Sequence, residues 1–279
     1  MKIIAWILVL GALAGCQAMH WNENDADAIK GNKEIIVYNP SVGPFDRITI
    51  ESDNFYNYTK RGSGQLNVFV RYTQQPGAPA VEVTVDKNLA DYLNIRTEKG
   101  VLHIGSKTKR PISPSRMEIR ICSEKLAALK SGGPIDMIID SPVKSDQLEI
   151  RSNGSGVIRA TRRIDAGSLD AQMTGSGDII LADIRCGHLT GVVVGSGDLT
   201  LHGQAEEGVY KVTGSGGIWA FGCTVQALDC HVTGSGDIQA HASDSLNANV
   251  TGSGDIVYQG NPRAKLSKTG SGEISRSGK

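Results

Sequence analysis

The segment Thr174-Gly175-Ser176-Gly177-Asp178-Ile179 recurs letter for letter from Thr233 to Ile238 and again from Thr251 to Ile256. In the second half its Gly-Ser-Gly core stands at seven places, beginning at Gly154, Gly175, Gly195, Gly214, Gly234, Gly252 and Gly270. The intervals are 21, 20, 19, 20, 18 and 18 residues. Self-similarity at such a period marks a repeat architecture, in which each unit needs its neighbours to bury its apolar side.

Alignment on the first glycine separates the inward from the outward positions. Six residues before it stand Leu148, Leu169, Leu189, Gly208, Leu228, Leu246 and Ala264. Two before it are Ser152, Met173, Val193, Val212, Val232, Val250 and Lys268, and four after it Ile158, Ile179, Leu199, Ile218, Ile238, Ile256 and Ile274. The columns four before and six after are also largely apolar, with Tyr210 and Cys230 in the first and Tyr258 and Arg276 in the second. Every apolar column lies at an even offset, the period of a strand with one buried face. The odd columns carry Thr, Ser and Asp and face water. The two glycines share the even phase, so they are expected to face inward and let the chain turn sharply over the core.

One β-coil of about 20 residues per repeat follows, stacked on the next at about 4.8 Å. The predicted fold is all-β: a parallel β-helix, or β-solenoid, of handedness the pattern leaves open. Ser131-Gly132-Gly133-Pro134-Ile135 reads as a degenerate first coil, with Leu129 and Met137 in apolar columns. Lys268 and Arg276 break the core columns of the last coil, as a polar cap does. Ahead of the repeat, segments such as Ile35 to Tyr38, Leu66 to Tyr72, Val81 to Val85 and Met117 to Ile121 alternate or are β-branched. They predict a strand-rich region covering the N-terminal end of the solenoid, which would otherwise present an open edge.

The chain has 279 residues, 29 Lys+Arg against 29 Asp+Glu, 34 Gly and 9 Pro. Balanced charge excludes a broad electrostatic nucleic-acid binder. The glycine excess without a collagen period agrees with many tight turns.

The N-terminus carries a separate signal. Lys2 is followed by an apolar run from Ile3 to Ala14, too short for a confident membrane span, which ends in Leu13-Ala14-Gly15-Cys16. That ending resembles the lipobox of bacterial lipoproteins. The resemblance implies cleavage before Cys16, lipidation of Cys16 and anchoring of the chain in a membrane. Gln17 stands where an Asp typically retains such proteins in the inner membrane, so the resemblance implies an outer-membrane destination. The alternative is an ordinary signal peptide with a chance cysteine. The expected organisation is a signal peptide (1–15), a lipid-anchored flexible linker (16–33), an N-terminal β region (34–130) and the Gly-Ser-Gly β-helix (131–279).

Two features together resemble the putative auto-transporter adhesin head GIN domain family of bacterial envelope proteins. One is Gly43-Pro44-Phe45-Asp46-Arg47-Ile48-Thr49-Ile50, followed by hairpin segments such as Gly100-Val101-Leu102-His103-Ile104. The other is the ladder of Gly-Ser-Gly-Asp-Ile turns. The resemblance spans roughly Pro44 to Ile256, implies a β-helical and often lipid-anchored domain, and brings no catalytic residues.

Three residues after each first glycine stand Asp178, Asp198, Asp237, Asp255 and Glu273, with Val157 and Gly217 interrupting. Like charges stacked at about 5 Å repel by about 1 kcal/mol in water. Either a ligand or a cation such as Ca²⁺ relieves that, or each Asp caps its own turn by accepting backbone N–H groups. Calcium is not indicated by spacing, because Ca²⁺-binding β-rolls repeat every nine residues. The histidines do not cluster; His202 and His241 share a column but lie two coils apart. No metal or cofactor is expected. Cys122, Cys186, Cys223 and Cys230 show no zinc spacing; Cys230 reads as a core thiol, and pairing stays open. Basic clusters at Lys107 to Arg110 and Arg159 to Arg163 read as anion-binding or as solvated loops.

Catalysis on glycans by a β-helix needs convergent carboxylates, or Asp with Lys or Arg, on one exposed face. The regular columns offer single acids among Ser and Thr, which suits recognition. The expected function is a non-enzymatic cell-envelope lipoprotein whose solenoid binds or adheres to an envelope glycan or protein. A structural assembly module and a glycan-active enzyme are the alternatives.

Overall fold

The computed structural model describes residues 27–51, 55 and 68–278. The repeats form rungs of parallel strands stacked along one axis, as their pattern predicts. In one rung, Asp178–Leu181, Ile184–Cys186 and His188–Gly195 register on Asp198–Leu201, Gly203–Ala205 and Glu207–Gly214 of the next. Each rung thus has three straight sides. Register shifts at the corner between Leu181 and Ile184, and again at Thr200/Gly203 and Trp219/Thr224, absorb differences in repeat length.

The even columns line the core. Ile158, Ile179, Leu199, Ile218, Ile238 and Ile256 lie above one another with no exposed surface. Each contributes about 1.5–3 kcal/mol by leaving water. Where a column thins to glycine, a neighbour fills the space: a Cβ on Gly191 would stand 3.2 Å from the ring of Tyr210 in the rung above. Tyr210 is fully buried.

The corner glycines have a second cause beside the one expected. The second of each pair, such as Gly197, is buried, but the first is half-exposed. That first glycine holds φ near +120°, as in Gly175, Gly195, Gly214 and Gly234, a region L side chains rarely enter. A Cβ on Gly195 would lie 2.5 Å from the carbonyl oxygen of Gly175 one rung below. The same oxygen accepts the N–H groups of Ser196 at 2.9 Å and Gly197 at 3.0 Å. The glycines therefore turn the chain at this corner and also permit close approach of rungs along the stack axis.

The Ser131 coil is not the bottom of the stack. Ala128–Gly133 registers beneath Glu149–Gly154, and its other edge pairs in parallel with Arg47–Ile50. Asp136–Ile139 likewise rests on Phe69–Tyr72. Beneath that rung lies one more, in which Val101–Ile104 pairs with Arg47–Ile50 and Met117–Ser123 with Val68–Gln74. Sequence order and stacking order are thus exchanged at the N-terminal end. Below the lowest rung the strands run antiparallel: Ala80–Val85 on Met117–Cys122, Leu93–Glu98 on Val101–Ser106, and Ile35–Tyr38 on Val83–Asp86. With the 3-10 helix Lys87–Tyr92 they close this end of the core.

The spacer expected to run to Lys33 is docked over its last part. Ile29–Lys30 pairs with Ile112–Ser113. Asp86, enclosed among strands, accepts hydrogen bonds from the Lys33 N–H at 2.7 Å, the Ser115 N–H at 2.7 Å and the Ser115 hydroxyl at 2.6 Å. Gly31 is required there, since a Cβ would fall 2.3 Å from the Asp86 carboxyl carbon. Cys16 and the apolar run before it lie outside the described residues.

At the other end Arg263–Gly270 is exposed along its whole length, and Leu266 of the core column is 45% exposed. Lys268 folds over this open rung and donates to the Gly272 carbonyl at 3.3 Å. That is the polar cap its position predicts.

Candidate binding surfaces of the solenoid

The acidic residues do form one column. Asp178 registers with Asp198, Asp198 with Gly217 and Gly217 with Asp237, and Asp255 and Glu273 continue the row. Their carboxylates look along the stack. Asp198 accepts the Gly217 N–H at 2.9 Å, Asp237 the Asp255 N–H at 2.8 Å, and Asp255 the Glu273 N–H at 2.7 Å. Asp136, lower in the same column, accepts the Val157 N–H at 2.9 Å. Each bond joins one rung to the next, not a turn to itself. Burial pushes the Asp136 carboxyl up, opposed by the Val157 N–H and by Arg159 and reinforced by Asp178. Among the described residues no three His, Cys, Asp or Glu side chains come close enough to hold a metal ion.

The interruption at Gly217 has a cause. A Cβ there would lie 2.6 Å from the indole of Trp219, so the ring is folded over the glycine. Trp219 and Phe221, at odd offsets from Gly214, are half-buried. His202 similarly lies over Gly222, whose Cβ would meet its Nδ1 at 2.1 Å.

Among the described residues Cys122, Cys186, Cys223 and Cys230 are free thiols. Cys230 is a core residue, as its column predicts, and burial pushes its thiol far up. Burial raises Cys186 to about 12, with a smaller contribution from Cys223. Burial raises Cys223 too, opposed by the adjoining hydroxyl of Tyr210.

One hollow was not anticipated from the sequence. A groove of about 1370 Å³ runs along the stack, crossing rung after rung from Asp46 and Lys125 to Thr224 and Ser243. Its floor is made of small residues, among them Ala166, Gly167, Cys186 and Ala205. Its walls carry Lys144, Asp146, Asp165, Arg185, Gln204 and Glu206. The floor follows from a column nine residues before the first glycine, occupied by Ser145, Ala166, Cys186, Ala205 and Val225. Small side chains there pull the surface inward, while their neighbours stand up as walls. The signal was in the repeat alignment, but at an odd offset where water-facing residues are expected.

Such a groove presents a fresh set of hydrogen-bonding side chains every rung, about 4.8 Å apart. It holds Lys125, Lys144 and Arg185 against Asp46, Asp146, Asp165 and Glu206, so neither sign dominates. Specificity here would come from directed polar contacts over length, not from an apolar pocket. Of the basic clusters, Lys107 to Arg110 adjoins the docked N-terminal arm, where Arg110 donates to the Asp27 carbonyl at 3.0 Å. Arg163 pairs with Asp183 at 3.0 Å.

Fold and surface together define a capped β-solenoid built to display a long lateral face. The chain belongs to the family described as "Putative auto-transporter adhesin, head GIN domain", which matches residues 63–182 and 157–262. Among solved structures it is similar to a "Putative lipid binding protein" from Parabacteroides distasonis, with 31% identity and a TM-score of 0.82 over 90% of this chain and 100% of the other. It is also similar to a "putative adhesin" from Parabacteroides merdae, with 28% identity and a TM-score of 0.81 over 91% of this chain and 100% of the other. A "putative adhesin" from Parabacteroides distasonis gives 30% identity and a TM-score of 0.80 over 90% and 100%. No curated protein matches the chain at a significant level.

Proposed function

We propose that the chain is a non-enzymatic lipoprotein of the bacterial outer membrane, held through a lipid on Cys16, whose solenoid binds an extended polar polymer of the envelope in the lateral groove. The groove is the observation that carries this reading: it is long, polar on its walls, small on its floor and balanced in charge. Membership of a family of adhesins supports a binding role, and the lipobox-like Leu13-Ala14-Gly15-Cys16 supports the anchor. Several acyl chains on one cysteine hold a protein firmly, because each buried CH₂ contributes about 0.8 kcal/mol. The acidic column serves the stack on this reading and takes no calcium.

A second reading, glycan cleavage, has one observation in its favour. Asp146, Asp165 and Glu206 share the groove with Lys144 and Arg185, and paired acids or acid–base pairs are what such chemistry needs. An array of envelope glycans and peptidoglycan fragments, probed with calcium and with chelator, tests both. Binding without release of new reducing ends, unchanged by chelator, is the expected result. New reducing ends would replace recognition with catalysis. Loss of binding under chelator would make the acidic column a metal site.

A further inference from the structure

We infer that the capped N-terminal end of the solenoid is a second contact surface, one that seats on a bilayer carrying anionic headgroups. Among the described residues the exposed large hydrophobics are Ile35, Val37, Tyr92, Val194 and Leu266. The first three belong to this one end. Ile35 and Val37 project from the same side of Ile35–Tyr38, while Ile36 and Tyr38 turn to the core. Among the described residues that strand pairs only with Val83–Asp86. On it Val37 is 59% exposed and Ile35 40%. Soluble edges are usually blunted with Lys, Pro or a bulge. The opposite end obeys that rule, for its open strand carries Arg263, Lys265 and Lys268.

Charge surrounds the apolar edge in a way that fits lipid. The arm, the edge strand and the 3-10 helix form one platform: Asn88 donates to the Lys30 carbonyl at 2.8 Å, the Lys87 N–H to the Glu34 carbonyl at 2.7 Å, and the Lys107 N–H to the Tyr92 carbonyl at 2.8 Å. Lys87 pairs with Glu34 at 2.8 Å and Arg110 with Asp27 at 3.4 Å, which leaves Lys30, Lys33, Lys107 and Lys109 on the platform against Asp91 and the enclosed Asp86. An aromatic, two branched aliphatics and a basic surround are the composition that favours a bilayer interface. The chain outside the structure points to the same occupant. Residues 17–26 lead from Cys16, the proposed lipid attachment, into Asp27 on this platform. The Asp86 clamp fixes Lys33 and the 113–116 segment, so the platform is held rigidly to the solenoid. The choice of a bilayer as occupant rests in part on the lipoprotein reading.

The test is regional amide exchange of the full chain, free and with vesicles of phosphatidylethanolamine and phosphatidylglycerol. It is run on the natural sequence, on Cys16→Ala, and on Ile35→Asp with Val37→Asp. Amides of residues 35–38 and 87–92 are expected to slow about tenfold on vesicles while 263–270 are unchanged. Cys16→Ala should keep that protection, and the double Asp variant should lose it while still floating with vesicles. Flotation of the natural protein without protection at 35–38 would overturn the platform and leave the lipid anchor standing. Protection that persists in the double variant, or appears equally at 263–270, would also overturn it. If Cys16 carries no lipid but 35–38 is protected, the anchor fails and the platform stands.

Discussion

Replacing Gly195 with alanine isolates what the corner glycines do. Two costs add at that position. A side chain at φ +119° adopts backbone that only glycine visits freely, which costs about 1–3 kcal/mol. The new Cβ would also lie 2.5 Å from the Gly175 oxygen, forcing the rungs apart where that oxygen accepts two N–H groups. Each such bond is worth about 0.5–1.5 kcal/mol. Gly195→Ala should therefore destabilise by about 3–5 kcal/mol. Gly77→Ala separates the terms, because Gly77 has φ +116° but nothing within 4 Å of its Cβ position. It should cost only the backbone term, about 1–3 kcal/mol. Ser196→Ala, at an exposed hydroxyl, should stay within about 0.5 kcal/mol. Urea unfolding gives the energies, and amide exchange at Ser196 and Gly197 shows whether the rung contact opened. Equal costs for Gly195→Ala and Gly77→Ala, with those two amides still protected, would refute close approach as the reason for glycine.

Three further outcomes follow from the geometry. Burial would raise the Asp86 carboxyl, but bonds from the Ser115 hydroxyl and from the Lys33, Ser115 and Arg116 N–H groups outweigh it and hold it below the usual range. Docking of residues 27–33 should then be fully stable above about pH 4 and be lost as pH falls through the lowered value, which protease nicking of the arm against pH would show. Gly217→Asp would make the acidic column continuous from Asp178 to Glu273 but displace the Trp219 indole, so red-shifted tryptophan emission and a loss of about 1 kcal/mol are expected; unchanged emission would contradict the packing. With Cys186 raised to about 12, its thiolate fraction near pH 8 is about a thousandfold below that of a free thiol. Alkylation of the native protein should spare it, and rapid labelling at Cys186 would show that the groove floor opens.

The repeat made the stack legible because each rung packs against its neighbour about 20 residues away, and like residues fall into like columns. Leu169, Leu189 and Leu228, or Ile179 and Ile238, could be placed in the core by counting alone. The N-terminal exchange of order could not. Arg47–Ile50 pairs with Ala128–Ser131 across some 80 residues, and nothing local in either strand encodes that partner. A clue was present in Gly62-Ser63-Gly64, the repeat's own tripeptide in the sequence between Arg47–Ile50 and Val68–Gln74, though it lies outside the described residues. The acidic column was placed by sequence, but the rung-to-rung direction of its hydrogen bonds needed coordinates. The groove was hidden for another reason: its floor arises from side-chain size at one odd column, and period-2 reading sorts polarity, not size.

The central claim is that the lateral groove binds a polymer, and the most direct measurement compares groove and off-groove variants on whichever array polymer the full chain binds. Arg185→Ala with Glu206→Ala should weaken binding at least about tenfold, roughly 1.4 kcal/mol, while Lys211→Ala, exposed and outside the groove lining, should leave it unchanged. Equal binding by all three proteins would contradict the account.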